Sequence, residues 1–161
     1  MTDLNVRPAV VDDAEGFSRA YEASWDAALS GIAGRTLQEL MPYEKRVEQF
    51  RTTFARLPPE AGAWVAERDG EVVGVAVRVS SELRSLYVVP EAWGTGVAGA
   101  LMDAALDAIR EDGATEATLW VVEANPRARR YYEREGWEPT GETRASELGP
   151  SELQYRLRLT A

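Results

Sequence analysis

Three glycines at positions 94, 96 and 99, in the stretch YVVPEAWGTGVAGALM, are the residues of this chain best spaced to hold a ligand. A β-like run ends before them and a helix-like run follows. The first N–H groups of a helix have no partner inside it and carry partial positive charge, so they favour anions, above all phosphates. Glycine lets a backbone approach such a ligand closely. A strand–glycine loop–helix junction therefore reads as a cradle for a diphosphate. The same residues also suit a plain tight turn with small side chains for packing. Read literally, they match the dinucleotide fingerprint G-x-G-x-x-G. That fingerprint normally opens its domain and is followed by repeated βαβ units, whereas about 90 residues precede it here and about 60 follow. No Lys-Ser or Lys-Thr pair follows the loop, so it is not a nucleoside-triphosphate P-loop.

What the chain lacks bounds its chemistry further. It has no histidine and no cysteine, which excludes Ser-His-Asp and Cys-His catalysis, disulfides and thiolate metal sites. Acid–base work falls to carboxylates, tyrosines, the lone lysine Lys45, a terminus or water. We expect no metal. The formal net charge of −9 opposes binding to nucleic acid or to anionic membranes and tolerates a cationic substrate. No apolar run approaches the roughly 20 residues of a membrane span, and no basic stretch followed by an apolar one opens the sequence. A cytoplasmic protein is the expectation.

The elements that must position the glycines follow from periodicity. LNVRPAV (4–10) reads as a strand. A helix follows Asp12 or Asp13, with Phe17, Tyr21, Trp25 and Leu29 at helical spacing, and SGIAGRT breaks it. A further helical stretch carries Val47, Phe50 and Phe54 on one face. AWVAERDGEVVGVAVRV is a hairpin about Asp69-Gly70. ELRSLYVV is a strand, and a helix over about 96–111 follows the glycines, with Val97, Leu101, Ala105 and Ala108 together. ATEATLWVV is a strand. NPRARRYYEREG is a short helix with Asn125 as N-cap, Pro126 in the first turn and Gly136 just past the end. ELQYRLRL closes the chain with Leu153, Tyr155, Leu157 and Leu159 alternating. The 161 residues read as one mixed α/β domain spanning 1–161, antiparallel in its first half with a βαβ unit in its second.

Two segments together resemble the GCN5-related N-acetyltransferase (GNAT) family. LYVVPEAWGTGVAGALM is similar to its acyl-CoA signature, Gln/Arg-x-x-Gly-x-Gly/Ala, with Glu91 read at the Gln/Arg position. NPRARRYYEREGW is similar to its second segment, through Asn125, Ala128, Tyr132 and Gly136-Trp137. The resemblance is strong over 82–137 and weak before residue 60. It implies a mostly antiparallel, twisted central sheet with a splayed parallel strand pair, flanked by helices. It implies acetyl-CoA as donor, coenzyme A as product and an amine as acceptor, a small molecule or a peptide, in a protein that is commonly a homodimer. Direct attack in a ternary complex is the implied route.

The resemblance also assigns residues. Leu86, Tyr87 and Val88 would run beside the pantetheine arm. Trp93, Gly94, Thr95, Gly96, Val97, Ala98 and Gly99 would wrap the diphosphate. Asn125 and Tyr132 would line the arm near the thioester, and Arg129 or Arg130 would reach a phosphate. Tyr132 is the expected acid and Glu82 the expected base, directly or through water, while neighbouring Tyr131 is read as packing. Trp25 and Asp26 are the expected acceptor contacts, Asp26 as an anchor for a cation. The competing readings are a non-catalytic acyl-CoA sensor and a nicotinamide-dependent oxidoreductase.

Overall fold

The computed structural model describes residues 3–146 and 149–160; the outer ends of the expected domain, Met1, Thr2 and Ala161, lie outside that range. Seven strands form one sheet in the order β1-β2-β3-β4-β5-β7-β6. They are β1 (Asn5–Pro8), β2 (Ala61–Arg68), β3 (Glu71–Val79), β4 (Glu82–Val88), β5 (Glu116–Val122), β6 (Glu138–Ala145) and β7 (Ser151–Arg158). Every neighbouring pair is antiparallel except β4 and β5. The hairpin turn has Asp69 and Gly70 at φ 56° and 76°, the doubly left-handed turn that matches the twist of its strands.

Helices cover both faces. On one lie α1 (Ala14–Ala33), the four-residue α2 (Leu37–Leu40) and α3 (Tyr43–Ala55). Phe17 of α1 is fully buried there, with its ring centroid 4.7 Å from Phe50 and 5.0 Å from Phe54 of α3. On the other lie α4 (Val97–Glu111) and α5 (Pro126–Arg134). Val97 and Leu101 of α4 pack on Ala66, Ala76 and Val88 of the sheet, while Ala105 and Ile109 meet Ala117 and Leu119. Gly74 makes the α4 contact possible. A Cβ there would stand 2.8 Å from both Val97 and Leu101 side chains and 3.2 Å from the Tyr87 carbonyl.

SGIAGRT ends α1 as expected, within the segment: the helix runs to Ala33 and stops at Gly34, whose φ of 72° makes the left-handed C-cap. One expectation needs correction: the expected element order omits β6. That strand is an exposed edge strand carrying Pro139 and Gly141 and broken by a bulge between Pro139 and Thr143. It buries almost nothing, so it shows no apolar alternation to read.

The parallel pair is where the sheet opens. β3 and β4 slip register between Val77 and Arg78, leaving Arg84 as the extra residue on β4. A bulge bends and twists its strand. Beyond it β4 leaves β5: their paired register is Glu82 with Thr118 alone, closed by the Thr118 N–H donating to the Ser81 carbonyl at 3.0 Å. A V-shaped gap opens from that vertex toward the glycine loop.

Candidate active site

The gap widens into a cleft of about 850 Å³, a usual size for a ligand site. Its floor and walls come from β4, the glycine loop, α5, α1 and the ends of β5 and β7. Along β4 the peptide groups alternate in direction. The Val89 N–H donates to the Val73 carbonyl of β3, so Leu86 and Val88 turn theirs into the gap. The Val88 carbonyl is already met by the Ser24 hydroxyl at 2.7 Å and by the Trp93 indole N–H at 2.8 Å. The Val88 and Leu86 N–H groups face the gap as donors.

The glycine loop is built for an anion. Gly94 and Gly96 have φ of 75° and 90°, which other residues resist. The first helix-closing bond runs from the Ala100 N–H to the Gly96 carbonyl, leaving the N–H groups of Val97, Ala98 and Gly99 without helical partners. The first turn of α4 holds no acidic residue. A Cβ added at Gly99 would meet nothing within 4 Å beyond its chain neighbours and the backbone of its own helix, although Gly99 has ordinary helical backbone and lines the cleft. Glycine inside a helix costs about 1 kcal/mol relative to alanine. The protein's own packing does not demand it, so the space over Gly99 is room for a ligand to approach the backbone. A coenzyme A diphosphate fits that donor set and that opening.

Helix α5 brings the second set. The Asn125 side-chain oxygen caps it by accepting from the Ala128 N–H at 3.3 Å, which leaves its amide nitrogen for the cleft, and Gly136 follows the helix at φ 96°. Tyr132 lines the cleft, and its hydroxyl has no hydrogen bond among the described residues. Burial, with a smaller push from Tyr131, raises its pKa, so it stays protonated at neutral pH. Tyr87, at the centre of the gap, is raised well above its ordinary value by burial first, then by Tyr21, Tyr132 and, last, Glu152. Its ring lies 4.7 Å from that of Tyr21.

Leu86, Tyr87, Val88, Trp93, Gly94, Gly96, Val97, Ala98, Gly99, Asn125, Arg130, Tyr132 and Trp25 all border this one cleft. Other expected residues do not. The Asp26 carboxylate accepts from the Leu37 N–H at 2.8 Å and so caps α2 instead of facing an acceptor. Glu82 sits at the closed vertex, outside the cleft lining, and pairs with Arg84 Nε at 2.9 Å. Arg129 is spent on the Tyr155 hydroxyl and the Glu123 carbonyl. The Thr95 hydroxyl lies off the cleft, accepting from Arg68 and donating to the Ala92 carbonyl. Tyr131 does more than pack: it also borders the cleft, with a buried hydroxyl that has no partner among the described residues and a pKa pushed up to about 12, first by burial.

Glu91 is exposed and away from the cleft, while Trp93 stands on its wall. The signature fits equally two residues later, as Trp93, Gly96 and Ala98, and the geometry favours that register. Trp93 thus replaces the usual Gln or Arg. The sequence reading missed what accompanies it: the Arg127 guanidinium lies 3.6 Å from the Trp93 ring centroid, bridging α5 to the glycine loop across the cleft mouth.

Known proteins agree with this geometry. The family model described as the acetyltransferase (GNAT) family matches residues 19–137. An uncharacterised N-acetyltransferase of Archaeoglobus fulgidus is 32% identical over 140 residues, covering 80% of this chain and 89% of that protein. The peptidyl-lysine N-acetyltransferase YjaB of Salmonella typhimurium is 26% identical, covering 91% of each chain. The crystal structure of a PaiA N-acetyltransferase from Thermoplasma acidophilum in complex with coenzyme A superposes with a TM-score of 0.80 at 18% identity, over 98% of this chain and 99% of that one. With its splayed strand pair, glycine cradle and matched signature segments, this chain belongs to the GNAT family of acetyltransferases, enzymes that transfer an acetyl group from acetyl-CoA to an amine.

Proposed function

We propose that the acceptor is a primary amine that enters from the α1 side of the gap and attacks directly in a ternary complex. The room left above Gly99, beside three N–H groups without helical partners, carries the donor half of this reading. Acetyl-CoA, when bound, supplies an activated thioester carbonyl. The loop N–H groups of Val97, Ala98 and Gly99 hold its diphosphate, with Arg127 and Arg130 adding positive charge at the cleft edge. The Asn125 amide and the β4 backbone orient the pantetheine arm. The Val88 N–H faces the gap where negative charge would develop on the acyl oxygen.

Tyr132 acts as the acid. Its raised pKa keeps a proton on the hydroxyl, ready for the departing sulfur. An alkylamine has a pKa of about 10.4 and must lose its proton before attack. Glu82, held by Arg84 outside the cleft lining, receives that proton only through water.

The test is acetyl transfer itself. Wild-type protein with acetyl-CoA and a panel of peptide and small-molecule amines should release free CoA thiol and yield products heavier by one acetyl group. Tyr132→Phe should lower kcat about 100-fold while CoA affinity stays within about twofold. Full turnover by Tyr132→Phe would remove the acid from the mechanism.

A further inference from the structure

On the α1 side of the cleft stands a carboxylate that the reaction scheme above does not use. Glu152 of β7 pairs with Val122 of β5 across the ladder. Directly opposed residues of antiparallel strands project to the same face. Val122 packs with Trp25 and Leu29 of α1, so Glu152 also emerges on the α1 face, opposite α4 and α5. It borders the cleft beside Trp25, Leu29, Trp120 and Val122.

Its surroundings are those of a site rather than of a surface ion pair. Arg144 Nε donates to one oxygen, Oε1, at 2.8 Å, and no other hydrogen bond from the described residues reaches the carboxylate. The two partners are unequally placed: the Arg144 side chain is 48% exposed, the Glu152 side chain 16%. Arg144 is in turn fixed over the Trp120 ring, 4.3 Å from its centroid. The arginine thus holds one oxygen of an inward carboxylate and leaves Oε2 to accept. Glu152 also lies close enough to Tyr87 to add to the upward shift of that hydroxyl, as Tyr132 does. Tyr87 is therefore influenced both by the expected acid and by this carboxylate. The other acid of the cleft lining, Glu135, lies just past α5 on the opposite face.

We infer that Glu152 is the anchor for the acceptor's ammonium group as it binds, before its proton leaves through water and the amine attacks, and that the acceptor is lysine-like: a cation on an aliphatic stem laid along Trp25, Leu29 and Val122. The stem meets apolar surface and the charge meets the free carboxylate oxygen, so a neutral stem of the same length binds less well. This inference rests on the amine-acceptor reading above.

Calorimetric titration of the CoA-saturated protein tests it without turnover. The probes are Nα-acetyl-lysine amide and Nα-acetyl-norleucine amide, which share a stem but not a charge. Wild type should prefer the lysine probe at least about tenfold; Glu152→Gln should lose that preference, and Arg144→Gln should keep it. Titrating CoA into each variant should give wild-type affinity, which establishes that the fold and the cofactor wall are intact and reports on the donor reading separately. Equal preference in wild type and Glu152→Gln would overturn the assignment. So would no preference in wild type, or parallel loss in both variants, which would mean that the ion pair and not the carboxylate matters.

Discussion

The two walls of the cleft are built in different ways. The α4–α5 wall presents backbone: three N–H groups of α4, two of β4, and an asparagine that caps its own helix. The α1–β7 wall presents side chains: Trp25, Trp120, Glu152 and the Tyr21–Tyr87 pair. Backbone recognition is set by residues adjacent in sequence, because a cradle needs only glycines and a helix start. Side-chain recognition draws on residues about 20, 90, 120 and 150 along the chain, which meet only after the sheet forms. A constant donor suits the first kind of wall and a variable acceptor the second.

That contrast can be broken hardest at Gly74, under α4. Gly74→Val would drive methyl groups into Val97, Leu101 and the Tyr87 carbonyl, with backbone on one side that cannot yield. Such overpacking should cost about 2–3 kcal/mol, or about 5–10 °C in Tm, and CoA affinity should fall as the start of α4 is displaced. Gly16 of α1 is the control on the other face. A Cβ there meets a side-chain methyl of Val72 at 3.1 Å, which can turn aside, and alanine favours the helix. Gly16→Ala should stay within about 0.5 kcal/mol of wild type. Denaturation with and without CoA measures both. Equal tolerance at the two glycines would mean that the cofactor wall is not set by α4 packing.

The same contrast explains what could be read before folding. The strand–glycine loop–helix junction, the α5 cap and Gly136 were legible because each is a local device with its own residue types. The bulge at Arg84, which opens the cleft, carries no glycine or proline to announce it. Asp26 was the expected anchor for a cation, but the start of α2 takes its oxygen. Glu152 was hidden for the opposite reason. It lies on the polar side of an alternating strand, the side normally given to solvent, and the splay of β4 turns that side into a cleft wall. β6 was unreadable because an exposed edge strand has no buried face to leave a pattern.

A smaller effect sharpens the donor wall. Arg127 has no ion-pair partner among the described residues and rests on Trp93. If it serves the diphosphate, Arg127→Ala should weaken CoA about tenfold and leave pantetheine, which lacks the phosphates, unchanged. Equal weakening of both would make the arginine a brace for Trp93 alone. The acceptor-wall probes should not respond to this variant in either case.

The smallest effect concerns how α1, the acceptor wall's main helix, is tethered. Both Asp13 carboxylate oxygens accept from Arg7 of β1 at 2.8 Å, and one also accepts from the Val10 N–H. Arg7 reaches on to Glu67 of β2, so the chain entering α1 is tied to two strands. The hydrogen bonds from Arg7 hold the Asp13 pKa below its ordinary 3.8 despite the opposing effect of burial. A carboxylate with a lowered folded pKa contributes stability that is fully present above the unfolded value and is lost as pH falls through the folded one. Asp13→Asn should therefore cost on the order of 1 kcal/mol at pH 7, and the gap from wild type should close as pH drops below about 3.8. Because the tether lies on the α1 side, CoA affinity should not change across the series. A gap that persisted unchanged into acid would mean that the shape of the Asp13 side chain, and not its charge, holds α1 to the sheet.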